Sequence, residues 1–481
     1  FVNHGHEAPK IFQHLKYSLV DELHSFIGNE RGRQLQSLLH RIEVSLGKRI
    51  PRIALSATLG DMKIAAEFLR PGYGDAARLI VSESSGQELK LLVKGYLESE
   101  PQRQPQENEE ETSFLDEDVI GMISQDIFKA LRGTSNLIFA NTRSNVEAYA
   151  DNLRRLCEEK ALPNEFWPHH GSLSKDLREQ AEAVIKDKSR PISIVCTSTL
   201  EMGIDIGAVT SIVQVGAPPS VASMRQRLGR SGRRGDPAIL RVYISEKEIT
   251  KNSPPLDALR PELIQTIAMI RLLLKKWYEP PFASGLHLST LIQQILSLIA
   301  QFGGVTATKA WKILCKDGPF STVDEKIITD LLKCMGGHDL LMQSNEGTLF
   351  HGKKGEQIAG HYSFYAAFVT SEEYRLISGD RELGTLPIDR PVAVDSFIIF
   401  GGRRWQVIAV DAEKKVIELK PAKGGKVPKF SGQAGWVHDV VRQEMYRVYM
   451  ETEVPVFLDQ TAKDLLLEAR STFQRYELGK R

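Results

Sequence analysis

The chain has 481 residues and a formal net charge of +1, and its 42% hydrophobic and 26% charged residues are ordinary for a globular protein. The near-neutral charge excludes a polycation, so a nucleic-acid site would have to be a local basic patch. The four cysteines form no CxxC pair, which argues against a zinc site or a disulfide framework, and no apolar run approaches the ~20 residues of a membrane span. We therefore expect a soluble, cytoplasmic protein of about three or four domains.

The first predicted strand ends in charged side chains. Residues 15–24 form an apolar run that closes with Asp21, Glu22 and His24, which is the pattern of a buried parallel strand with a site at its carboxyl end. Two such carboxylates can hold the magnesium of a nucleotide and position an attacking water, or they can cap the helix that follows. Helical spacing over residues 30–46 predicts that helix.

The segment 51–60 predicts a second, short strand that is followed by the small hydroxyl side chains of Ser56 and Thr58. Hydroxyl groups at a strand end can pass hydrogen bonds between a nucleotide site and a neighbouring domain, or they can simply cap the next helix. A helix over residues 61–69 and a strand over residues 78–82 complete this part of the chain.

Residues 96–118 are rich in glutamate, glutamine and proline and predict an acidic linker without chemistry of its own. In the segment that follows, predicted strands alternate with helices and end in polar residues, which is typical of a parallel sheet with helices on both faces. These strands span residues 136–141, 193–199, 209–215 and 238–244. The polar residues near the strand ends include Thr142, Arg143, His170, Gly171 and Thr197.

Residues 226–235 read Gln-Arg-Leu-Gly-Arg-Ser-Gly-Arg-Arg-Gly, with four arginines among three glycines. The guanidinium group is a planar, permanently charged fork that matches phosphate oxygens, and glycine lets the backbone approach a ligand closely. The run therefore suits a polyphosphate site, with a solvated basic face or a nucleic-acid patch as the alternatives.

The C-terminal half of the chain has a different pattern. Residues 288–350 predict three helices followed by a hairpin, which is the layout of a winged helix, and a plain helical bundle is the alternative. Residues 360–450 carry short β-branched or aromatic segments separated by turns, which predict a small barrel or sandwich. An amphipathic helix over residues 457–475 is expected to pack onto that barrel.

Six of these segments occur in the order found in superfamily 2 helicases of the DEAD/DEAH type. They are Val-Asp-Glu-Leu-His (20–24), Ser-Ala-Thr (56–58), Phe-Ala-Asn-Thr-Arg (139–143), His-His-Gly-Ser (169–172), Thr-Ser-Thr-Leu-Glu-Met-Gly-Ile-Asp (197–205) and Gln-x-x-Gly-Arg-x-Gly-Arg-x-Gly (226–235). Within this superfamily the chain most resembles the large helicase-related (Lhr-like) group. That resemblance rests on Arg31-Gly32-Arg33, the winged-helix region, Gly-Thr-Leu-Pro (384–387) and Gly-Arg-Arg-Trp (402–405).

The resemblance implies an α/β fold with two RecA-like parallel-sheet domains, the first of them partial, followed by a winged-helix domain and a small β-barrel-like domain. The implied boundaries are 1–95 for the first domain, 96–118 for the acidic linker, 119–250 for the second domain, 251–355 for a linker helix with the winged helix, and 356–481 for the strand-rich domain with its C-terminal helix. The implied activity is ATP-dependent movement on nucleic acid, with ATP and Mg²⁺ as cofactors.

The resemblance also implies roles for residues in hydrolysis, nucleotide binding and nucleic-acid binding. Asp21 and Glu22 would hold magnesium and position the water, while His24, Ser56 and Thr58 would couple hydrolysis to the second domain. Gly203, Asp205 and Gly229 would contact the nucleotide, and Gln226, Arg230 and Arg233 would face its γ-phosphate, the two arginines as fingers. Thr142, Arg143, His170, Gly171 and Thr197 would contact nucleic acid, mostly at backbone phosphates.

The sequence contains no Gly-x-x-x-x-Gly-Lys-Ser/Thr motif. In the family this P-loop precedes the D-E-x-H box, so we expect it upstream of Phe1, with residues 1–95 as the second half of the first RecA-like domain. The alternatives are a nucleic-acid-binding module without hydrolysis and a helicase-like subunit that serves a partner enzyme in DNA repair or antiphage defence. The expected ligand is single-stranded DNA or a DNA–RNA hybrid, in the cytoplasm of a bacterium or archaeon.

Overall fold

The computed structural model of the chain describes residues 1–56, 59–81, 88–99, 119–201, 206–232, 236–365, 373–387, 392–422, 424 and 436–478. The strands in these ranges are β1 Ser18–Val20, β2 Arg52–Ala54, β3 Leu89–Glu98, β4 Asn136–Ala140, β5 Phe166–His169, β6 Ser193–Cys196, β7 Ser211–Val215, β8 Ala238–Lys247, β9 Val305–Thr306, β10 Leu341–Gln343, β11 Thr348–His351, β12 Glu373–Ser378, β13 Arg381–Pro387, β14 Phe397–Phe400, β15 Arg403–Asp411 and β16 Val416–Pro421.

The α-helices in the same ranges are α1 Ala8–Phe12, α2 Glu30–Leu46, α3 Met62–Leu69, α4 Val119–Leu131, α5 Arg143–Glu159, α6 Lys175–Lys186, α7 Val221–Leu228, α8 Pro261–Leu274, α9 Leu288–Phe302, α10 Ala307–Trp311, α11 Glu325–Gly337, α12 Lys353–Ala359, α13 Asp439–Met450 and α14 Gln460–Arg475. The chain forms two compact units. The first comprises Phe1–Ser82 and Pro280–Thr370, and the second comprises Glu83–Glu279 and Ser371–Arg481.

In the first unit, β1 and β2 run parallel and bring two predicted polar strand ends side by side. Val20 pairs with Ala54, so the residues that follow each strand emerge at the same edge. Helix α2 spans the predicted residues 30–46, because the side chain of Asn29 accepts a backbone N–H at its start and Gly47 ends it in the left-handed conformation.

The winged helix predicted at residues 288–350 is confirmed. Helices α9, α10 and α11 are followed by the β10–β11 hairpin, and β9 completes a small antiparallel sheet in the order β10-β11-β9. Helix α2 packs on α9 through Arg41, whose buried guanidinium donates hydrogen bonds of 2.6–3.0 Å to the side chains of Gln294, Ser297 and Gln301. Burial lowers the pKa of Arg41 to about 9.

The second unit is built on a six-stranded sheet in the order β3-β8-β7-β4-β6-β5, and every neighbouring pair of strands runs parallel. The central strands β4, β6 and β7 are buried along their whole length, as expected for parallel strands with apolar runs. One hydrophobic core packs α4 and α5 on the sheet, and another packs α6, α7 and α8 on it. The predicted parallel sheet with helices on both faces is therefore confirmed.

Strand β3 belongs to this sheet, because it pairs with β8 over all ten of its residues. The chain thus enters the six-stranded sheet at Leu89, before the predicted domain boundary at residue 95. Strand β3 also runs three residues into the segment 96–118 that was predicted as a linker. Local sequence could not reveal this pairing, because the partner strand begins only at Ala238. Residues 100–118 of the predicted linker lie outside the described residues.

The strand predicted at residues 78–82 is wrong for residues 78–81, which have no regular secondary structure. Leu79, Ile80 and Val81 are all exposed, so the β-branched and apolar side chains that suggested a buried strand are not covered. Residue 82 lies outside the described ranges.

Strands β12–β16 form a five-stranded sheet in the order β13-β12-β16-β15-β14, which curls into a half-barrel and is named the β domain. Its core contains Leu376, Val407, Ile417 and Leu419, which alternate with outward-facing residues along their strands. The strand-rich domain is therefore confirmed, although strand β12 was not predicted.

The C-terminal helices pack on the six-stranded sheet instead of the β domain. Helices α13 and α14 contribute Val441, Val448 and Leu466 to the core that also contains residues of α8. Before α14, the N–H of Val93 in β3 donates to the carbonyl of Phe457 at 2.8 Å. The prediction that the tail helix packs onto the barrel is therefore wrong, and α8, which was predicted to accompany the winged helix, lies in the second unit.

Candidate nucleic-acid and nucleotide site

The predicted nucleic-acid residues lie in three loops at one edge of the six-stranded sheet. Thr142 follows β4, Gly171 follows β5 and Thr197 follows β6. These strands are neighbours in the order β4-β6-β5 and run parallel, so their carboxyl ends meet at the same edge. This is the edge at which open α/β sheets bind their ligands.

The loop after β4 presents a cationic side chain. Thr142 caps α5, because its Oγ1 accepts the N–H of Asn145 at 3.1 Å. The Arg143 side chain is 47% exposed; its Nη1 donates to Ser172 Oγ and lies 3.5 Å from the carboxylate of Glu373 in β12. These two partners orient the guanidinium while half of it remains open to solvent, which suits contact with a phosphate.

The loop after β5, residues 170–174, is named the histidine loop. His170 is only 1% exposed, its Nε2 lies 2.7 Å from Oε1 of Glu147 in α5, and its ring meets Phe400 edge-on with centroids 5.8 Å apart. The side chain of His170 is therefore turned into the protein here, and its place on the nucleic-acid side stays a prediction. Gly171 is exposed, and a Cβ built on it would meet no described atom within 4 Å.

The loops after β5 and β6 are bonded to each other through His169. Its Nδ1 lies 2.9 Å from Thr199 Oγ1, and its Nε2 lies 3.1 Å from Glu182 Oε1. Burial lowers the pKa of His169, against the opposing effect of the Glu182 carboxylate. Thr197 is half-buried, and its N–H donates to the His169 carbonyl at 3.4 Å. Thr197 is therefore held in place relative to the histidine loop.

The predicted γ-phosphate residues lie on and after α7. Gln226 is half-buried in the last turn of that helix, and Gly229, which follows it, is exposed. Arg230 donates from Nη2 at 2.8 Å and from Nε at 3.3 Å to the backbone carbonyl of Glu201. Four further predicted site residues lie outside the described residues: Thr58, Gly203, Asp205 and Arg233.

Arg227 and Glu201 form a buried ion pair that sequence reasoning missed. Arg227 Nε donates to Glu201 Oε1 at 2.8 Å, and its guanidinium lies over the Phe139 ring, 4.5 Å from the centroid. Ser223 Oγ donates to the same carboxylate oxygen at 2.9 Å. The Glu201 carboxylate therefore ties α7 to the loop after β6, while its carbonyl holds Arg230. The sequence did point to Arg227, because this residue belongs to the same arginine run as Arg230 and precedes it by three residues.

In the first unit, the ends of β1 and β2 bring His24 and Ser56 together. His24 Nδ1 lies 2.8 Å from Ser56 Oγ and 3.4 Å from Glu22 Oε2. Glu22 itself adopts the left-handed backbone conformation, with φ of 50°. Burial lowers the pKa of His24, and the negative charge of Glu22 opposes that effect. A neutral imidazole at pH 7 therefore links the two strand ends.

Asp21 and Glu22 fit the requirements of a magnesium site completed by phosphate. Asp21 is exposed and its Oδ1 accepts the N–H of Glu22 at 2.9 Å, while Glu22 is half-buried. Magnesium prefers one or two carboxylates together with waters and substrate phosphates over a cage made only of protein ligands. Within the described ranges no cluster of three or more histidine, cysteine or acidic side chains could hold a metal by itself.

Comparison with known proteins shows which helicases the chain resembles. Residues 119–235 match the model of the helicase conserved C-terminal domain. The ATP-dependent helicase Lhr-Core of Methanothermobacter thermautotrophicus is 34% identical over 233 residues, covering 47% of this chain and 25% of that protein. The Lhr helicase/probable uracil glycosylase of Mycolicibacterium smegmatis is 24% identical over 466 residues, covering 86% of this chain and 29% of that protein. In these ranges the chain is similar to Lhr-like helicases of superfamily 2.

Solved structures agree with the fold of this Lhr-like chain. Mycobacterium smegmatis helicase Lhr bound to ssDNA and AMP-PNP matches with a TM-score of 0.60 at 24% identity, covering 78% of this chain and 46% of the other. The DUF1998 helicase MrfA bound to DNA and AMPPNP matches with a TM-score of 0.62 at 17% identity, covering 88% and 55%. The chain spans a quarter to a half of the length of its Lhr relatives, from 25% to 47%. Within the described ranges, no helix combines the length and apolar character needed to cross a membrane.

Proposed function

We propose that this Lhr-like chain is part of an ATP-dependent helicase that moves on single-stranded DNA and unwinds DNA or RNA–DNA hybrids. The observation that carries the proposal is the meeting of Thr142–Arg143, Gly171 and Thr197 at the carboxyl ends of three adjacent parallel strands. Curated relatives named ATP-dependent helicases support it, as does the fold shared with helicases solved together with DNA.

The proposed contacts with nucleic acid run along its phosphate backbone. Arg143 supplies a charged fork, and Gly171 lets a phosphate oxygen approach the main chain without meeting a side chain. Thr142 and Thr197 add hydroxyl groups beside them. Backbone contacts of this kind give affinity and register without reading the base sequence, which suits a protein that moves along a strand.

The proposed nucleotide contacts follow the family motifs. Asp21 and Glu22 would hold magnesium, which when bound neutralises charge on the phosphates. Gln226, Arg230 and Arg233 would face the γ-phosphate, with Gly203, Asp205 and Gly229 at the rest of the nucleotide. Arg230 would then exchange the Glu201 carbonyl for a phosphate oxygen, a stronger, charge-assisted partner.

Coupling between hydrolysis and movement is assigned to His24, Ser56 and Thr58. The 2.8 Å contact between His24 Nδ1 and Ser56 Oγ supports this assignment, because it connects the acidic strand end with the hydroxyl strand end. A shift of Glu22 on hydrolysis would reach Ser56 through the imidazole. We also propose a cytoplasmic role in DNA repair or antiphage defence beside a partner enzyme, which co-purification with a nuclease or glycosylase from native cells tests.

The test is binding of a labelled single-stranded oligothymidylate to the 481-residue chain at several salt concentrations. Log affinity should fall linearly with log salt, by about 0.7 in slope for each phosphate neutralised on a single strand. Arg143→Ala should weaken binding and make the slope shallower by about that amount. Arg442→Ala, which removes an equally charged side chain that is 56% exposed on α13, is the matched control and should keep the wild-type slope. Binding that does not depend on salt, or identical slopes for both variants, would contradict the proposal.

A further inference from the structure

The histidine loop is built into the β domain as if it were an additional short strand. The N–H of Ser174 donates to the Leu383 carbonyl and the N–H of Thr385 donates to the Ser172 carbonyl, both at 2.8 Å. Between these bonds Leu173 forms an antiparallel bridge with Gly384. The Leu173 side chain is 3% exposed and lies in the same core as Phe400 and the other buried residues of the β domain.

The opposite side of the loop is held by a buried carboxylate on α5. Glu147 accepts the N–H groups of Gly401 and Gly402, at 2.8 and 2.6 Å, in the turn between β14 and β15. The same carboxylate contacts His170 Nε2 at 2.7 Å. A buried carboxylate is stable only when donors surround it, so Glu147 fixes the β domain and the histidine loop with respect to each other.

A second carboxylate on α5 strengthens this attachment one helical turn later. Asp151 accepts hydrogen bonds of 2.9 Å from Arg154 of its own helix and from Arg404 of β15. Arg154 also donates from Nε to the Gly402 carbonyl at 2.8 Å. The turn between β14 and β15 is therefore bonded to α5 through both its N–H groups and a carbonyl, which leaves it little freedom to move relative to the helix.

Between these two attachments the apex of the histidine loop faces solvent. Gly171 has His170 fixed by Glu147 on one side and Ser172 fixed by β13 on the other, and it is itself exposed. Ser172 also accepts the hydrogen bond that orients Arg143. The β domain thus determines where both the open backbone at Gly171 and the neighbouring guanidinium lie.

We propose that the β domain is the platform that positions the histidine loop for contact with nucleic-acid phosphates, and that Glu147 is its positioning residue. The inference rests on the function proposed above and deepens it, because it assigns the β domain a role in binding the nucleic acid. A loop held in its binding conformation before the ligand arrives loses less conformational freedom on binding, so pre-organisation raises affinity. Because Glu147 is buried, it would act through His170 and the Gly401–Gly402 turn.

Two glycines in the β domain allow a matched test from the side remote from nucleic acid. A Cβ at Gly384 would lie 2.1 Å from the Ser172 carbonyl oxygen, so Gly384→Ala must displace the histidine loop. A Cβ at Gly379, in the turn between β12 and β13, would meet no described atom within 4 Å. Both glycines have positive φ, +151° and +58°, so both alanines strain the backbone and only the first one pushes on the loop. Glu147→Gln is the second variant, made on the α5 side.

The readout is the slope of log affinity against log salt for the labelled oligothymidylate and the whole chain. Gly384→Ala and Glu147→Gln should both make the slope shallower, by about 0.7 for each phosphate that the variant no longer neutralises, while Gly379→Ala keeps the wild-type slope. A purely structural defect lowers the fraction of the protein that can bind. The protein that still binds then keeps the wild-type slope of log affinity against log salt. If Gly384→Ala fails to fold, Glu147→Gln decides alone.

Wild-type slopes in the folded variants, or the same change in Gly379→Ala as in Gly384→Ala, would overturn the inference. Salt-independent binding by the wild-type chain would instead overturn the proposed function, so the two failures are distinguishable.

Discussion

Leu173→Ala should destabilise the second unit, because this side chain anchors the histidine loop in the core of the β domain. Leu173 is 3% exposed and shares that core with residues of β12, β13, β14, β15 and β16. The surrounding strands are bonded to one another, so they cannot collapse into the space that a shortened side chain leaves. The destabilisation should therefore include a cavity contribution in addition to the transfer free energy of the removed atoms.

The expected cost is about 3 kcal/mol, within the roughly 2–5 kcal/mol found for buried leucine to alanine changes. For a unit of about 300 residues, an unfolding entropy of ~2.1 cal/mol/K per residue means that each kcal/mol lowers the melting temperature by roughly 1.5 °C, so the transition should fall by about 5 °C. Urea and thermal unfolding followed by circular dichroism measure both quantities. Hydrogen exchange at the amides of Ser174 and Thr385, which bond the loop to β13, should accelerate at the same time.

Leu467→Ala is the matched control, because it makes the same chemical change at a side chain that is 52% exposed on α14. It should change the free energy of unfolding by less than about 0.5 kcal/mol. Equal, small effects of the two substitutions would refute the packing of Leu173 in the β domain.

Three further predictions concern buried charges. Arg227→Ala should destabilise the second unit by about 3–5 kcal/mol in urea titrations, because it leaves the Glu201 carboxylate buried without its cation, whereas Glu201→Gln, which keeps an acceptor, should cost less. Burial raises the pKa of Glu246 from 4.5 to about 7, so ionisation of this carboxyl destabilises the folded state progressively from pH 4.5 upward and fully above about pH 7. Glu246→Gln should therefore stabilise the protein by about 3 kcal/mol at pH 8 and by nothing at pH 4, and an equal melting-temperature change at both values would contradict this. Burial lowers the pKa of His24 below 6.5, so the stability that its neutral form contributes is present above pH 6.5 and is lost as the pH falls. His24→Gln should therefore flatten the acid side of the curve of stability against pH. An unchanged curve would count against the burial of this imidazole.

Sequence patterns correctly predicted the helices and strands that are determined by residues within the same segment. Helix α2 begins and ends at the predicted residues because Asn29 and Gly47 supply both caps within the segment itself. The parallel strands were predictable because apolar runs ending in polar residues are characteristic of them. The meeting of Thr142, Gly171 and Thr197 at one edge followed from the parallel order of those strands, although the sequence did not say that they are adjacent.

The errors arose where partners are remote in the chain. The pairing of β3 with β8 and the docking of α14 on β3 depend on segments that the local pattern cannot relate. The surroundings of His170 likewise could not be predicted from its motif, because it is buried by Glu147, 23 residues earlier, and by Phe400. The available signal for a buried polar interface was the pair of carboxylates at Glu147 and Asp151, which are one turn apart on α5 and both buried.

The most direct measurement of the proposed function is ATP hydrolysis by the native protein that contains this chain, with and without single-stranded DNA. We predict that the strand stimulates hydrolysis and that Arg230→Ala lowers the stimulated rate by about 10³-fold or more, the scale of an arginine finger. The variant should still bind the oligothymidylate with the wild-type salt slope, because Arg230 lies outside the three loops that are proposed to contact the strand. Hydrolysis without stimulation by the strand, together with an unchanged rate in Arg230→Ala, would contradict the proposed function.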